Sequence, residues 1–240
     1  PAQKRNPAKE YRNGHIPNSI FFDLDDNSEK DTDLPHMLPK QDTWEKIMSS
    51  LGINNNDDIL IYDNSDLKSS CRLWFSLLYF GHDEKKIHIL NGGLKKWIFE
   101  KRPITKDTTE IIESNYVANE KENLVVSLDQ IKKNILSKSF NVIDARSLER
   151  FEGKVSEPRK GLRSGHIQNS FCLPFNLCIN QKTGEFKNLE ELRKLFNQNE
   201  SIEKKLDQVF TCGSGVTAAV LAYAYKTVSY THLRAHETRI

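Results

Sequence analysis

One short string occurs twice in this chain. Residues Gly14–Ser19 read GHIPNS and residues Gly165–Ser170 read GHIQNS. Each copy runs into an apolar segment, IFFDL in the first and FCLPF in the second. A second pair lies at nearly the same offset. DDILIYDNSD carries a strand-like run into Asp63, and LDQVFTCGSG carries one into Cys212. Helix-like segments follow both, CRLWFSLLYFG and GVTAAVLAYAY. Chance can produce one six-residue match. Two matches in the same order at one spacing indicate a duplicated domain.

Each unit reads as α/β. Short runs rich in Ile, Val and Phe predict strands at Ile59–Tyr62, Ile87–Leu90, Val142–Asp144 and Val209–Thr211. Helical spacing predicts helices at Thr43–Leu51, Arg72–Phe80, Leu94–Phe99, Leu128–Leu136 and Leu189–Phe196, with Asn188 ahead of Glu191 as a start signal. Strands alternating with helices imply crossover units and a mostly parallel sheet flanked by helices. The first copy is expected over 1–105 and the second over 125–227. The polar stretch 106–124 reads as a linker or wrap, and Asn54–Asn56 as a turn.

Both ends depart from the repeat. NVIDAR (Asn141–Arg146) opens the second copy, and its partner would fall before residue 1. KIHILNGGLKKW (Lys86–Trp97) closes the first copy, and its partner would fall where VSYTHLRAHET (Val228–Thr238) stands. That string has neither helical nor strand periodicity. It resembles the translation of a transposase adapter used in sequencing libraries. Residues 228–240 are therefore expected to be a non-native tail outside the fold, with no weight placed on His232 and His236. Both copies are expected to be truncated at the chain ends.

Composition removes other classes. Lys and Arg number 35 against 33 Asp and Glu, so no basic excess points to nucleic acid. No apolar run approaches the length of a membrane span. The four cysteines, Cys71, Cys172, Cys178 and Cys212, lack the C-x-x-C spacing of a zinc site, and no metal or cofactor is expected. Free thiols fit a reducing compartment, with cytoplasm expected, or mitochondrion in a eukaryote.

Cys212 stands out among the thiols. An apolar strand ends on it, two glycines follow at Gly213 and Gly215, and an Ala-rich helix begins. Glycines let backbone N–H groups converge on one point, and a helix N-terminus adds orphan donors and partial positive charge. Such a cradle stabilises an anionic sulfur. A buried structural cysteine at a tight turn is the competing reading. A Cys-dependent phosphatase needs Arg at the sixth position after the nucleophile, where this chain has Ala218. No Lys follows the glycines as a Walker loop requires. A papain-type Cys–His pair has no local signature here.

The loop CGSGVTA, the twin GHIP and GHIQ segments, LPHMLP (Leu34–Pro39), NGGLKKW and the RF…EPRKG segment together resemble the tandem rhodanese-domain sulfurtransferases. The resemblance covers Tyr11 to Lys226. It implies that Cys212 is the nucleophile and that the first copy is catalytically silent, with Asp63 at the counterpart position. It implies a cysteine persulfide, formed on release of pyruvate and discharged to cyanide or to a thiol such as thioredoxin or a small dithiol. Arg150 and Arg159 match the arginines that bind the donor carboxylate. Gly213, Gly215, Val216 and Thr217 complete the binding loop. Ser214, His36 and Asp25 match a relay that would protonate the leaving enolate. Thiosulfate-type loops resemble C-R-K-G-V-T, with two cations. Here Gly213 and Ser214 are neutral, which favours 3-mercaptopyruvate over thiosulfate as donor. A non-catalytic sulfur carrier and an inactive fragment are the other readings the sequence leaves open.

Overall fold

The structure, a computed structural model, describes residues 5–159, 161–198, 202, 205–228 and 233–236. Two parallel sheets organise it. The first pairs β1 (Ile59–Ile61) with β2 (Ile87–Ile89), Ile59 opposite Ile87. The second has five strands, β3 (Val125–Val126), β4 (Asn141–Asp144), β5 (Ser170–Cys172), β6 (Gln208–Thr211) and β7 (Leu233–His236). Their order is β3-β7-β6-β4-β5, and every pairing is parallel. The central strands β4 and β6 are buried throughout, as strands covered on both faces must be.

Helices α1 (Pro7–Asn13), α2 (Gln41–Ser50), α3 (Ser70–Tyr79) and α4 (Gly93–Phe99) belong to the first copy. The second copy has α5 (Leu128–Ser137), α6 (Leu148–Phe151), α7 (Leu189–Asn197) and α8 (Val216–Val228). Full capping boxes start α5, through Ser127 and Gln130, and α7, through Asn188 and Glu191. Helix α3 follows β1 as α8 follows β6, and these two equivalent helices pack against each other. The Ala-rich face of α8 permits that approach, with Ala218, Ala219, Ala222 and Ala224 all buried. Trp74 of α3 meets Tyr223 of α8 edge to face at 5.1 Å. One hydrophobic core consequently runs through both copies, from Trp44 and Phe75 to Phe210 and Leu221.

Part of the tail lies within the fold. Leu233–His236 forms β7 between β3 and β6, with Gln208 opposite Leu233. That is the slot β2 fills beside β1. Strand pairing uses backbone N–H and C=O groups, which every residue but proline carries, so a segment with no strand-like pattern still satisfies the row beside β6. The other tail histidine, His232, lies outside the described residues.

The stretch 106–124 wraps the first copy. Asn55 clamps it, its Nδ2 donating to the Val117 carbonyl (2.7 Å) while its Oδ1 accepts from the Val117 N–H (2.9 Å). Tyr116 is 2% exposed and stacks on His82. Asn55, expected only to turn the chain, thus fastens the wrap.

Candidate active site

The repeated string has the same local build in both copies. His15 stacks on Tyr11 at 3.9 Å, and its Nδ1 lies 2.8 Å from the Tyr11 carbonyl. His166 stacks on Phe151 at 3.9 Å, with Nδ1 2.8 Å from the Phe151 carbonyl. Asn18 and Asn169 both take left-handed φ values, 62° and 63°. What lies between the stacked pair differs. Tyr11 and His15 are joined by 12–14, whereas Phe151 and His166 are joined by 152–165. This longer excursion carries Glu157 and Arg159 to the end of the sheet where Cys212 lies.

Cys212 follows the last residue of β6, half-buried, and the Ser214 N–H donates to its sulfur at 3.5 Å. Gly215 takes φ +78°, which disfavours any side chain, and Val216 begins α8 with Thr217 behind it. The loop thus brings one backbone N–H, that of Ser214, onto the sulfur just ahead of α8, as an anion cradle requires. Thr211, Cys212 and Gly213 line a cleft of about 300 Å³ together with Glu157, Arg163 and His166. In the first copy the cradle is occupied by its own chain. Asp63 accepts from the Ser70 N–H through Oδ2 at 2.8 Å and from the Ser65 N–H through Oδ1 at 3.3 Å. Gly93 has to be glycine there, because a Cβ would sit 2.5 Å from the Asp63 carbonyl oxygen.

The two arginines are held differently. Arg150 on α6 pairs with Glu157, whose side chain is 5% exposed. Arg146 reaches the same carboxylate at 2.8 Å and Asp144 at 2.6 Å. Burial pushes the Glu157 carboxyl up. Arg150 and Arg146 outweigh that, and the result lies below its ordinary value of 4.5. Arg159 is half-buried. Burial lowers its guanidinium from the ordinary value and Arg150 adds to the lowering, while Cys212, Asp25 and Glu157 act in the opposite direction. Arg159 is therefore within electrostatic reach of the thiol, of Arg150 and of an acidic residue from the first copy.

From the first copy, His36 Nε2 lies 2.6 Å from Asp25 Oδ1. The acidic run resolves here. Asp23 caps the turn by accepting from the Asp25 and Asp26 N–H groups, which leaves the Asp25 carboxylate to His36. Burial lowers His36 from its ordinary 6.5, opposed by Asp25 and assisted by Arg72 and Arg159. Its Nδ1 is buried with no hydrogen-bond partner among the described residues. No hydrogen bond joins Ser214 to His36 among those residues, so the His–Asp part of the expected relay is assembled and the link to Ser214 is not. Sequence reasoning also passed over Arg72, Arg146 and Glu157. Glu157 is detectable as an acidic residue inside the excursion that the first copy lacks.

The remaining thiols are set apart from this chemistry. Burial pushes Cys178 up to about 12 and Cys172 up to about 11, and Cys71, fully buried, lies well above its ordinary value. Among the described residues no group of three or more His, Cys, Asp or Glu side chains is arranged to hold a metal ion. None of the described helices is long and apolar enough to cross a membrane.

A duplicated parallel α/β unit, with a cysteine at the end of a buried strand and a glycine turn leading into a helix, defines the class. The chain matches the rhodanese-like domain over residues 5–100 and again over 127–237, and it belongs to that family. Among its relatives is the mitochondrial thiosulfate/3-mercaptopyruvate sulfurtransferase 1 of Arabidopsis thaliana. The two are 37% identical over 92% of this chain, which spans 63% of the plant protein. It is also 35% identical to the 3-mercaptopyruvate sulfurtransferase of Escherichia coli (strain K12), over 98% of this chain and 82% of that one. The crystal structure of SseA from Escherichia coli, described as a 3-mercaptopyruvate sulfotransferase with the rhodanese fold, superposes with a TM-score of 0.88. It shares 33% identity over 98% of this chain and 87% of that one.

Proposed function

We propose that this chain transfers sulfur from 3-mercaptopyruvate to a thiol or cyanide through a persulfide on Cys212. The observation that carries the reading is that Cys212, the Glu157-anchored Arg150 and Asp25 all lie within electrostatic reach of Arg159, and that Asp25, from the silent copy, is paired with His36. Arg150 and Arg159 hold the donor carboxylate, a task suited to planar, permanently charged forks. The Cys212 thiolate attacks the donor sulfur. The carbon–sulfur bond breaks with its electron pair going to carbon, and an S–S bond forms on Cys212. The enolate takes a proton and leaves as pyruvate. His36 Nδ1, which has no hydrogen-bond partner among the described residues, takes the donor's thiol proton and returns it to the enolate carbon, directly or through the Ser214 hydroxyl, while Asp25 accepts from Nε2 and holds the ring. An acceptor thiolate then attacks the outer sulfur, and Cys212 departs as thiolate.

Gly213, Gly215, Val216 and Thr217 shape the anion cradle. Because Gly213 and Ser214 add no cation, the site suits a singly charged 2-oxo acid better than the thiosulfate dianion. Thiosulfate is the second donor, since the plant relative carries both names. Thioredoxin or a small dithiol is the proposed acceptor. Cytoplasm is the proposed compartment in a bacterium, and mitochondrion in a eukaryote. The test is pyruvate release from mercaptopyruvate, with one added sulfur on Cys212 by mass. Cys212→Ser is expected to abolish both. Turnover unchanged in that variant would overturn the reading, and a persulfide without repeated turnover would indicate a carrier.

A further inference from the structure

Arg72 lies in the copy that has no nucleophile, in the first turn of α3, and is 2% exposed. A guanidinium removed from water is retained only where its surroundings answer its charge and donors. Two of those surroundings belong to the site. Its Nη2 donates to the His36 carbonyl at 2.6 Å. Its other edge meets the nucleophile loop: a Cβ on Gly215 would stand 3.0 Å from Nη1 and 3.3 Å from Cζ, so the guanidinium lies against the Gly215 backbone. The ring of Phe75 supports it from a third side at 5.7 Å.

These two backbone points are both in the left-handed region, Gly215 at φ +78° and His36 at φ 58°. A non-glycine residue held there needs its surroundings to fix it. Arg72 is the third residue of α3, and the third residue of α8 is Ala218. At matching positions of the two helices, the second copy thus carries an alanine, and the first carries an arginine that reaches the loop of the second.

We propose that Arg72 is a positioning residue for sulfur transfer. It spans the two copies and holds the Gly215 backbone and the His36 turn at a fixed separation, so that the Cys212 loop and the His36–Asp25 pair face one another. It touches no reacting atom. The inference rests on the reading of Cys212 as nucleophile, and its test is built so that the two fail separately.

Arg72→Gln and Arg72→Lys are compared with the unaltered chain in three measurements: thermal melting, iodoacetamide alkylation of Cys212 at fixed pH, and kcat and KM for mercaptopyruvate. Alkylation reports the thiol's surroundings and needs no sulfur donor. For Arg72→Gln the expected result is a cooperative melt, alkylation slowed by about tenfold, and a fall in kcat of about tenfold or more with KM changed less than about threefold. Arg72→Lys keeps one cationic donor without the planar stack and is expected to recover part of both rates. A cooperatively melting Arg72→Gln with unaltered alkylation and kcat would overturn the proposal while leaving the function standing. Slowed alkylation in Arg72→Gln, in a chain whose unaltered form releases no pyruvate, would support the positioning role and sink the function. Should Arg72→Gln not melt cooperatively, Arg72→Lys decides: intermediate rates support the proposal, and unaltered rates overturn it.

Discussion

Replacing Glu157 by Gln removes one charge and almost no volume. The carboxylate it removes is 5% exposed and receives two guanidiniums, Arg146 at 2.8 Å and Arg150 through a two-point contact. Removing one partner of a buried ion pair costs about 3–5 kcal/mol. Two features place this case at or below the low end. Arg146 keeps Asp144 at 2.6 Å, and Arg150 is 27% exposed, so water takes up part of the lost interaction. A loss of about 2–3 kcal/mol is expected. In a chain of this size each kcal/mol moves Tm by about 2–4 °C, which gives a fall of about 4–12 °C at pH 7. The pH dependence has a definite sign. Because the folded state holds the Glu157 carboxyl below its ordinary value of 4.5, its contribution is complete above that value and is lost as pH falls through the lowered one. Calorimetric melts of both proteins from pH 7 down to pH 3.5 should show the difference shrinking only in the last unit or so. A difference under about 1 °C at pH 7, or one that does not shrink in acid, would refute the argument that the buried charge is what Glu157 contributes.

Asp25 opposes the burial that lowers His36, so Asp25→Asn should move the acid limb of kcat/KM to lower pH; a limb unmoved or moved upward contradicts the pairing. Asp63→Ala removes the acceptor of the Ser70 N–H and should cost about 0.5–2 kcal/mol by denaturant melts, whereas Asp63→Cys should give no second persulfide by mass, because the first copy uses the side chain at 63 to hold its own Ser65 and Ser70 N–H groups. Alkylation at pH 8 followed by peptide mass mapping should mark Cys212 first, with Cys172 and Cys178 much slower, since burial has pushed their thiols to about 11 and about 12.

The duplication and the cysteine loop are readable along the chain because both are local. GHIPNS and GHIQNS repeat because a His–aromatic stack and a left-handed Asn must be rebuilt in each copy, and those needs fall on neighbouring residues. The start of α7 is readable for the same reason, as Asn188 and Glu191 satisfy each other three positions apart. What escapes such reading depends on distance or on the backbone alone. Arg72 looks like one of 35 basic residues until folding sets it beside Gly215. Asn55 reads as a turn residue because its partner, Val117, lies 62 positions away. The strand Leu233–His236 has no readable pattern because its place depends on the open rows of β3 and β6. Asp23, Asp25 and Asp26 are indistinguishable as a run, and only the turn geometry separates the capping residue from the partner of His36.

The stacked aromatic–histidine pair behaves as two gateposts. In one copy the posts are joined by Arg12, Asn13 and Gly14, and in the other by the fourteen residues 152–165, yet the posts stand equally far apart, 3.9 Å between ring centroids. Lengthening a closed loop adds only about 0.6 kcal/mol per doubling. The span between the posts is therefore open to replacement in length, provided the Glu157 carboxylate that ties it through Arg146 to Asp144 of β4 is kept. Because Glu157 and Arg159 both ride on that span, the choice of anion the thiol meets is carried by a detachable part. A new donor preference could be grafted there while the strand that ends at Cys212 stays as it is.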